Sequence, residues 1–374
     1  MRIGVITLYL YNNFGGILQA YALQKVLNNL GHDAILIDKP KYIKYGPVYR
    51  RYAKYIRNFI LKYLCGKDIP VRPDIENIKI RKTISIHTER FINQYIKRHF
   101  STDYTDITAD SYNSIIVGSD QIWKPQYFHL NIEKAFLDFT AGWNIKRISY
   151  AASFGTDQWE YTDEQTAHCA ELLKKFNAVS VRESSAVELC KEKLCVKAEH
   201  VLDPTLLLAK ENYIELFKAT GTPQSEGNLF CYVLDNNLEK SNIIEIIARE
   251  RNLNPFYVNS RYEDPNVPLE ERIQQPVEKW LRAFYDAEFI ITDSFHACVF
   301  SIIFNKPFIV SGNKKRGLTR FESLLKMFGL EERLVSSTNE INTVLKKHID
   351  WERVNSIHKR MKEKSLSFLT KNLK

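Results

Sequence analysis

The sequence predicts an α/β protein made of two Rossmann-like, doubly wound domains facing a cleft. Short apolar runs of strand length alternate with stretches of helical periodicity, the pattern of parallel sheets covered by helices. That alternation weakens over residues 206–227, where Gly221, Pro223 and Gly227 cluster, and then resumes, as it would across a linker. At 374 residues the chain is also longer than one typical core.

In chain order, residues 3–8 read as a first strand and 16–30 as a helix, which Gly31 closes in the usual C-terminal glycine position. Residues 34–37, 114–117, 147–151, 178–181 and 200–202 follow as strands separated by helical segments. The second series has strands at 229–234, 256–258, 289–292 and 308–310. Its helices fall at 241–251, 277–285, 297–304 and 320–328. The expected domains are 1–205, with a basic helical insertion at 39–100, and 228–350. A terminal helix over 351–374 would pack back on the first domain.

No run of about 18 uncharged apolar residues appears, so a membrane-spanning helix is not expected. The apolar N-terminus runs into Tyr9, Asn12 and Asn13 without a small-residue cleavage site and reads as a strand. The six cysteines form no C-x-x-C pair, which argues for reduced thiols in a cytoplasmic protein and against a metal site.

The net charge of +9 is concentrated. Residues 39–98 carry 16 Lys/Arg against 4 Asp/Glu, a net of +12. Within them Tyr52, Ile56, Phe59, Ile60 and Tyr63 share one helical face, and basic residues populate much of the remainder. Such a helix either docks on its own domain or meets an anionic membrane surface or a diphosphate-lipid substrate held there. No nucleic-acid motif accompanies the charge, and nucleic acid is not an expected partner.

In open α/β sheets ligands bind beyond the carboxyl ends of the strands. Five segments lie there. Asn13, Gly15 and Gly16 open the first helix, either as an anion-binding loop or as a tight turn. Asp120 follows a strand as a metal ligand, general base, sugar-hydroxyl partner or helix N-cap. Arg182 leaves another strand, able to grip phosphate or carboxylate or to form a surface pair. Asp293, Ser294 and His296 stand together at a helix opening as an acid–base site. They are not a hydrolase triad, whose members come from separate parts of a fold. Finally, Lys314, Lys315, Arg316 and Arg320 form a glycine-bearing basic loop, which is an anion site or a solvated charge run. Arg182, Arg316, Arg320 and His296 at one cleft would suit a small polyanion plus proton transfer.

Several segments together resemble the polysaccharide pyruvyl transferase family. They are Asn13-Phe14-Gly15-Gly16-Ile17-Leu18-Gln19-Ala20, Val117-Gly118-Ser119-Asp120-Gln121-Ile122-Trp123 and Ser149-Tyr150-Ala151-Ala152-Ser153-Phe154-Gly155. Ser180-Val181-Arg182-Glu183, Leu202-Asp203-Pro204-Thr205, Thr292-Asp293-Ser294-Phe295-His296 and Pro307-Phe308 continue the series in family order. The insertion is not covered by these motifs. The resemblance implies a GT-B-like fold and transfer of pyruvate from phosphoenolpyruvate to two hydroxyls of one sugar, forming a cyclic ketal. It puts the catalytic histidine on His296 and a donor-binding arginine on Arg182. Asp120 or Asp293 would take the proton of the attacking hydroxyl. Relatives commonly carry an arginine where this chain has Ser294, so Arg316 or Arg320 is expected to replace it. The expected partners are phosphoenolpyruvate as co-substrate and a sugar acceptor, with a lipid-linked oligosaccharide as one form of it. Neither a further cofactor nor a metal is implied. Two other functions fit the same features: a nucleotide-sugar-dependent glycosyltransferase, and a non-catalytic membrane-associated polysaccharide assembly protein.

Overall fold

The computed structural model describes residues 1–39, 47–128, 130–312 and 317–374. The first domain begins with β1 (Arg2–Ile6), α1 (Phe14–Asn29) and β2 (Asp33–Asp38). The insertion folds as α2 (Val48–Tyr63), α3 (Pro73–Ile84) and α4 (Ile86–Tyr95), leading to β3 (Arg98–Phe100). Then come β4 (Ser114–Val117), β5 (Lys146–Ala152), α5 (Asp163–Leu173), β6 (Ala178–Val181), α6 (Ser184–Leu194) and β7 (Glu199–His200). These strands form one parallel sheet in the order β3-β2-β1-β4-β5-β6-β7.

A helix, α7 (Lys210–Ala219), stands where the linker was expected. Its Tyr213, Leu216 and Phe217 are buried, so this stretch is held by packing, and the glycine–proline cluster falls after its end. The second domain contains β8 (Leu229–Tyr232), α8 (Leu238–Arg251), β9 (Pro255–Phe256), α9 (Leu269–Arg272) and α10 (Val277–Asp286). It continues with β10 (Phe289–Thr292), α11 (Phe295–Ile303), β11 (Phe308–Ser311), α12 (Thr319–Phe328), β12 (Leu334–Val335) and α13 (Ile341–Lys346). Its parallel sheet runs β12-β11-β10-β8-β9. The chain ends in α14 (Trp351–Asn372).

Both sheets are wound in two directions from an internal pair, β1/β4 in the first and β8/β10 in the second. Helices therefore cover both faces, and β4, β8 and β10 are buried at every residue. That is why their sequences are almost wholly apolar. At each internal pair the loops diverge and leave a crevice, where doubly wound proteins bind ligands.

The domains are joined through apolar and polar contacts. Phe14, the first residue of α1, packs against Trp280 of α10 and Tyr232 of β8, with ring centroids 5.5 and 6.3 Å away. Arg90 of α4 pairs with the buried Glu278 of α10 at 2.7 Å. From the other end, α14 crosses to the first domain. Ser365 Oγ accepts the Leu202 N–H at 3.0 Å, and His358 Nε2 donates to the Leu206 carbonyl at 2.7 Å. Phe368 packs near Tyr150 of β5, with ring centroids 6.3 Å apart.

Candidate active site

The β1–α1 loop supplies the first wall. Asn13 Oδ1 caps α1 by accepting the Gly16 N–H at 3.2 Å, so this side chain does the work of a helix cap. Gly15 packs against His296 so closely that a Cβ on it would lie 2.1 Å from His296 Nδ1. Only glycine allows that approach. Gly16 is less constrained, since its Cβ would meet Asp120 Oδ2 at 3.6 Å.

His296 arrives from the other sheet. The helix expected to start at Ala297 starts at Phe295, which puts His296 in the first turn of α11, just past the end of β10. The histidine is buried, and its Nε2 lies 3.6 Å from Asp203 Oδ2.

Asp203 is the residue that gathers the site, although sequence reasoning did not single it out as functional. Its Oδ1 accepts from the backbone N–H and hydroxyl of Thr205, at 3.0 and 2.7 Å. Its Oδ2 accepts from Arg182 Nη1 at 3.0 Å and from Ser119 Oγ at 3.3 Å. Burial alone would push this carboxyl up. His296 and Arg182 outweigh burial and, with Thr205, hold it well below the usual carboxylate range. The available signal was a carboxylate three residues past the end of β7, in the segment Leu202-Asp203-Pro204-Thr205.

Arg182, at the end of β6, is buried among acids. Besides Asp203 it has Asp120 Oδ1 at 3.6 Å and Glu183 Oε2 at 3.9 Å. Glu183 is committed to its own loop, where Oε1 accepts from Ser153 Oγ, Phe154 N and Gly155 N at 2.9, 3.0 and 3.3 Å. Burial pushes Glu183's carboxyl up despite the nearby Arg182 and Arg320. Both arginines lie over Phe295, with guanidinium carbons 4.5 Å (Arg182) and 5.4 Å (Arg320) from the ring centroid. Burial first, and then the charge of Arg182, push Arg320 down to about 10, so it remains a cation at neutral pH.

The structure therefore brings Arg182, Arg320, His296, Asp120 and Gly15 together across the two switch points. Arg316, with Lys314 and Lys315, lies outside the described residues. Asp293 has different surroundings from the acid–base group expected of it. It is fully buried, and Oδ1 accepts the Leu234 N–H at 2.7 Å. Its Oδ2 accepts from Asp235 N at 3.0 Å and Lys240 Nζ at 2.7 Å. Both oxygens tie the end of β10 to the β8–α8 loop.

Arg182 Nε, Arg182 Nη2 and His296 Nε2 are buried here without a hydrogen bond among the described residues, their nearest acids being Glu183, Asp120 and Asp203 at 3.9, 3.6 and 3.6 Å. Buried donors left this way are costly unless a ligand or water completes them. A pocket of about 330 Å³ opens between the domains, and neither Arg182 nor His296 is among the residues that line it. Asn12 and Asn13 line it from the first domain, and Tyr232, Asn259, Tyr262 and Ser294 from the second. Ser294 thus borders open space, while the residue two positions on touches Gly15. Asn12 Nδ2 is a further buried donor without an acceptor among the described residues.

The fold is similar to solved structures of two-domain GT-B glycosyltransferases. One is Arabidopsis thaliana UGT89C1 complexed with UDP-L-rhamnose, at TM-score 0.51 and 8% identity, covering 99% of this chain and 98% of that one. Another is the glycotransferase of kitacinnamycin, at TM-score 0.50 and 10% identity, covering 100% and 99%. At such identities the likeness concerns the fold alone, which is GT-B. No curated protein matches the sequence. A family model described as polysaccharide pyruvyl transferase matches residues 13–315. The chain belongs to the polysaccharide pyruvyl transferase family.

Proposed function

We propose that this transferase moves pyruvate from phosphoenolpyruvate onto a sugar of a bacterial cell-surface polysaccharide precursor and closes a cyclic ketal there. The observation that carries this reading is the meeting of Arg182, Arg320 and His296 across the two switch points, with buried donors on Arg182 and His296 that make no hydrogen bond among the described residues. A small molecule with a carboxylate and a phosphate is rich in the oxygens they require.

In this mechanism His296 gives a proton to the methylene carbon of phosphoenolpyruvate, leaving an oxocarbenium-like centre at C2. Arg182 and Arg320 hold the carboxylate and phosphate and stabilise the developing charge. One sugar hydroxyl attacks C2 and passes its proton to Asp120. The second hydroxyl of the same sugar then displaces phosphate, which leaves with that hydroxyl's proton. The products are the ketal and inorganic phosphate. Asp203 acts on the reaction through His296 and Arg182, which it orients.

The test is His296→Ala, assayed for phosphate release from phosphoenolpyruvate with a sugar acceptor. A loss of at least about a hundredfold is expected for removal of a general acid, and undiminished turnover removes His296 from the reaction. The UDP-L-rhamnose bound to the Arabidopsis structure motivates the competing reading of a nucleotide-sugar donor. Thermal stabilisation by a nucleoside diphosphate but not by phosphoenolpyruvate would favour that reading.

A further inference from the structure

Helix α2 is amphipathic with its apolar side turned outward. Tyr52, Ile56, Phe59, Ile60 and Tyr63 are 58, 63, 52, 44 and 64% exposed. The helix is held by the opposite side. Asn58 is buried, and its Nδ2 donates to the Pro70 carbonyl at 3.0 Å, while the Tyr55 hydroxyl donates to the Asp74 carboxylate. The rest of the insertion docks inward: Phe91 and Ile92 of α4 are buried. Docking on its own domain, one of the two readings the sequence left open, therefore describes α4 and not the apolar face of α2.

The charges around that face say what could cover it. Between Val48 and Tyr63 there are five basic residues (Arg50, Arg51, Lys54, Arg57, Lys62) and no acid. At 100° per residue Arg57 and Arg50 lie to one side of the apolar stripe and Lys62 and Arg51 to the other, while Lys54 lies opposite it. A second copy of the chain would meet this face with the same cations, since a twofold interface pairs a patch with itself. At 16 residues the helix is too short to cross a bilayer. Four of the exposed ring-bearing residues, Tyr49, Tyr52, Phe59 and Tyr63, are of the kind that sits at the headgroup level.

We propose that α2 docks flat on an anionic lipid surface, its Tyr52–Tyr63 stripe entering the headgroup boundary and its flanking cations meeting lipid phosphates. This does not depend on the transfer reaction proposed above. It has a bearing on the cleft, because α3, next along the chain, reaches the pocket wall. The Tyr11 hydroxyl donates to the Arg81 carbonyl at 3.5 Å, and the Tyr11 ring meets the pocket residue Tyr262 edge-on at 6.5 Å.

The experiment is flotation of the full chain with phosphatidylcholine vesicles, with and without phosphatidylglycerol, at low and high salt. Binding to the anionic vesicles that weakens with salt is expected, with little on neutral ones. Two variants complete it. Ile56→Ser/Phe59→Ser/Ile60→Ser removes the stripe, and Arg50→Gln/Arg57→Gln/Lys62→Gln removes three flanking cations. The charge variant should lower partitioning by about a hundredfold, at roughly fivefold per cation. These side chains are exposed, so circular dichroism and turnover of a water-soluble acceptor should match the parent protein. Absence of binding to anionic vesicles at either salt overturns the proposal, as does binding that both variants retain. So does a dimer that the serine variant dissociates in the absence of any lipid binding, which would make this face a contact between copies.

Discussion

The imidazole of His296 rests on the Cα of Gly15, leaving no room for a methyl group, which would lie 2.1 Å from Nδ1. One residue comes from the switch point of the first sheet and the other from that of the second, so their contact sets how the two crevices meet. Gly15→Ala is expected to push the ring aside. Overpacking of this kind costs about 1–3 kcal/mol, and a displacement near 1 Å at a reacting group costs about a hundredfold in rate. Gly16→Ala is the control, because its methyl would meet Asp120 Oδ2 at an ordinary 3.6 Å. Phosphate release and thermal unfolding of both variants check this, and equal losses in the two would contradict it.

Asp203 Oδ2 accepts from Arg182 and Ser119 and lies 3.6 Å from His296 Nε2, so its replacement should reach all three. Asp203→Ala leaves a buried arginine without its closest anion, which costs about 3–5 kcal/mol. The pH dependence has a definite sign. The folded-state pKa of this carboxyl is depressed, so its stabilisation is complete above the unfolded value near 4. It is lost as pH falls through the lower folded value. Unfolding free energy measured against pH should therefore drop more steeply on the acid side for the parent protein than for Asp203→Asn. Parallel curves would contradict the assignment.

Asp293 and Asp120 should separate stability from chemistry. Asp293 accepts two backbone N–H groups and Lys240, so Asp293→Asn breaks a charged tie between β10 and the β8–α8 loop. A loss of about 2–4 kcal/mol is expected, with kcat per folded molecule changing much less. Asp120→Asn is expected to do the reverse and lower kcat by about a hundredfold or more, the usual scale for a general base. Urea unfolding and phosphate-release kinetics on both variants decide it, and a larger rate loss in Asp293→Asn would return the base role to that residue.

What could be read from the sequence follows from how locally each feature is encoded. The strands at Ser114–Val117, Ala178–Val181 and Phe289–Thr292 were legible because each is an almost wholly apolar run between polar turns. β12 spans only Leu334–Val335 and β3 reads Arg-His-Phe at the sheet edge, so neither carries a pattern long enough to recognise. α7 was hidden by the glycines and proline after it, which mark its end and not an open linker. At the site, His296 and Arg182 were visible as polar residues leaving apolar strands. Asp203 was not, because its importance lies in partners 21 and 84 positions away. Asp293 looked catalytic by adjacency to His296, yet the strand end turns the two side chains to different neighbours.

Phe295 should set how Arg182 and Arg320 share the cleft. Two guanidiniums repel, and the ring beneath them offers a negative π-face to each, at 4.5 and 5.4 Å. Such contacts contribute about 0.5–2 kcal/mol apiece when desolvated. Phe295→Leu keeps most of the buried apolar volume but removes that face, so the arginines should lose registry with each other more than the fold loses stability. Since both are proposed to hold the donor, KM for phosphoenolpyruvate should rise by about tenfold while kcat falls less. Phe295→Tyr retains the π-face and should stay near the parent value for KM. A Phe295→Leu variant that lost stability without any change in KM would make the ring a packing residue only.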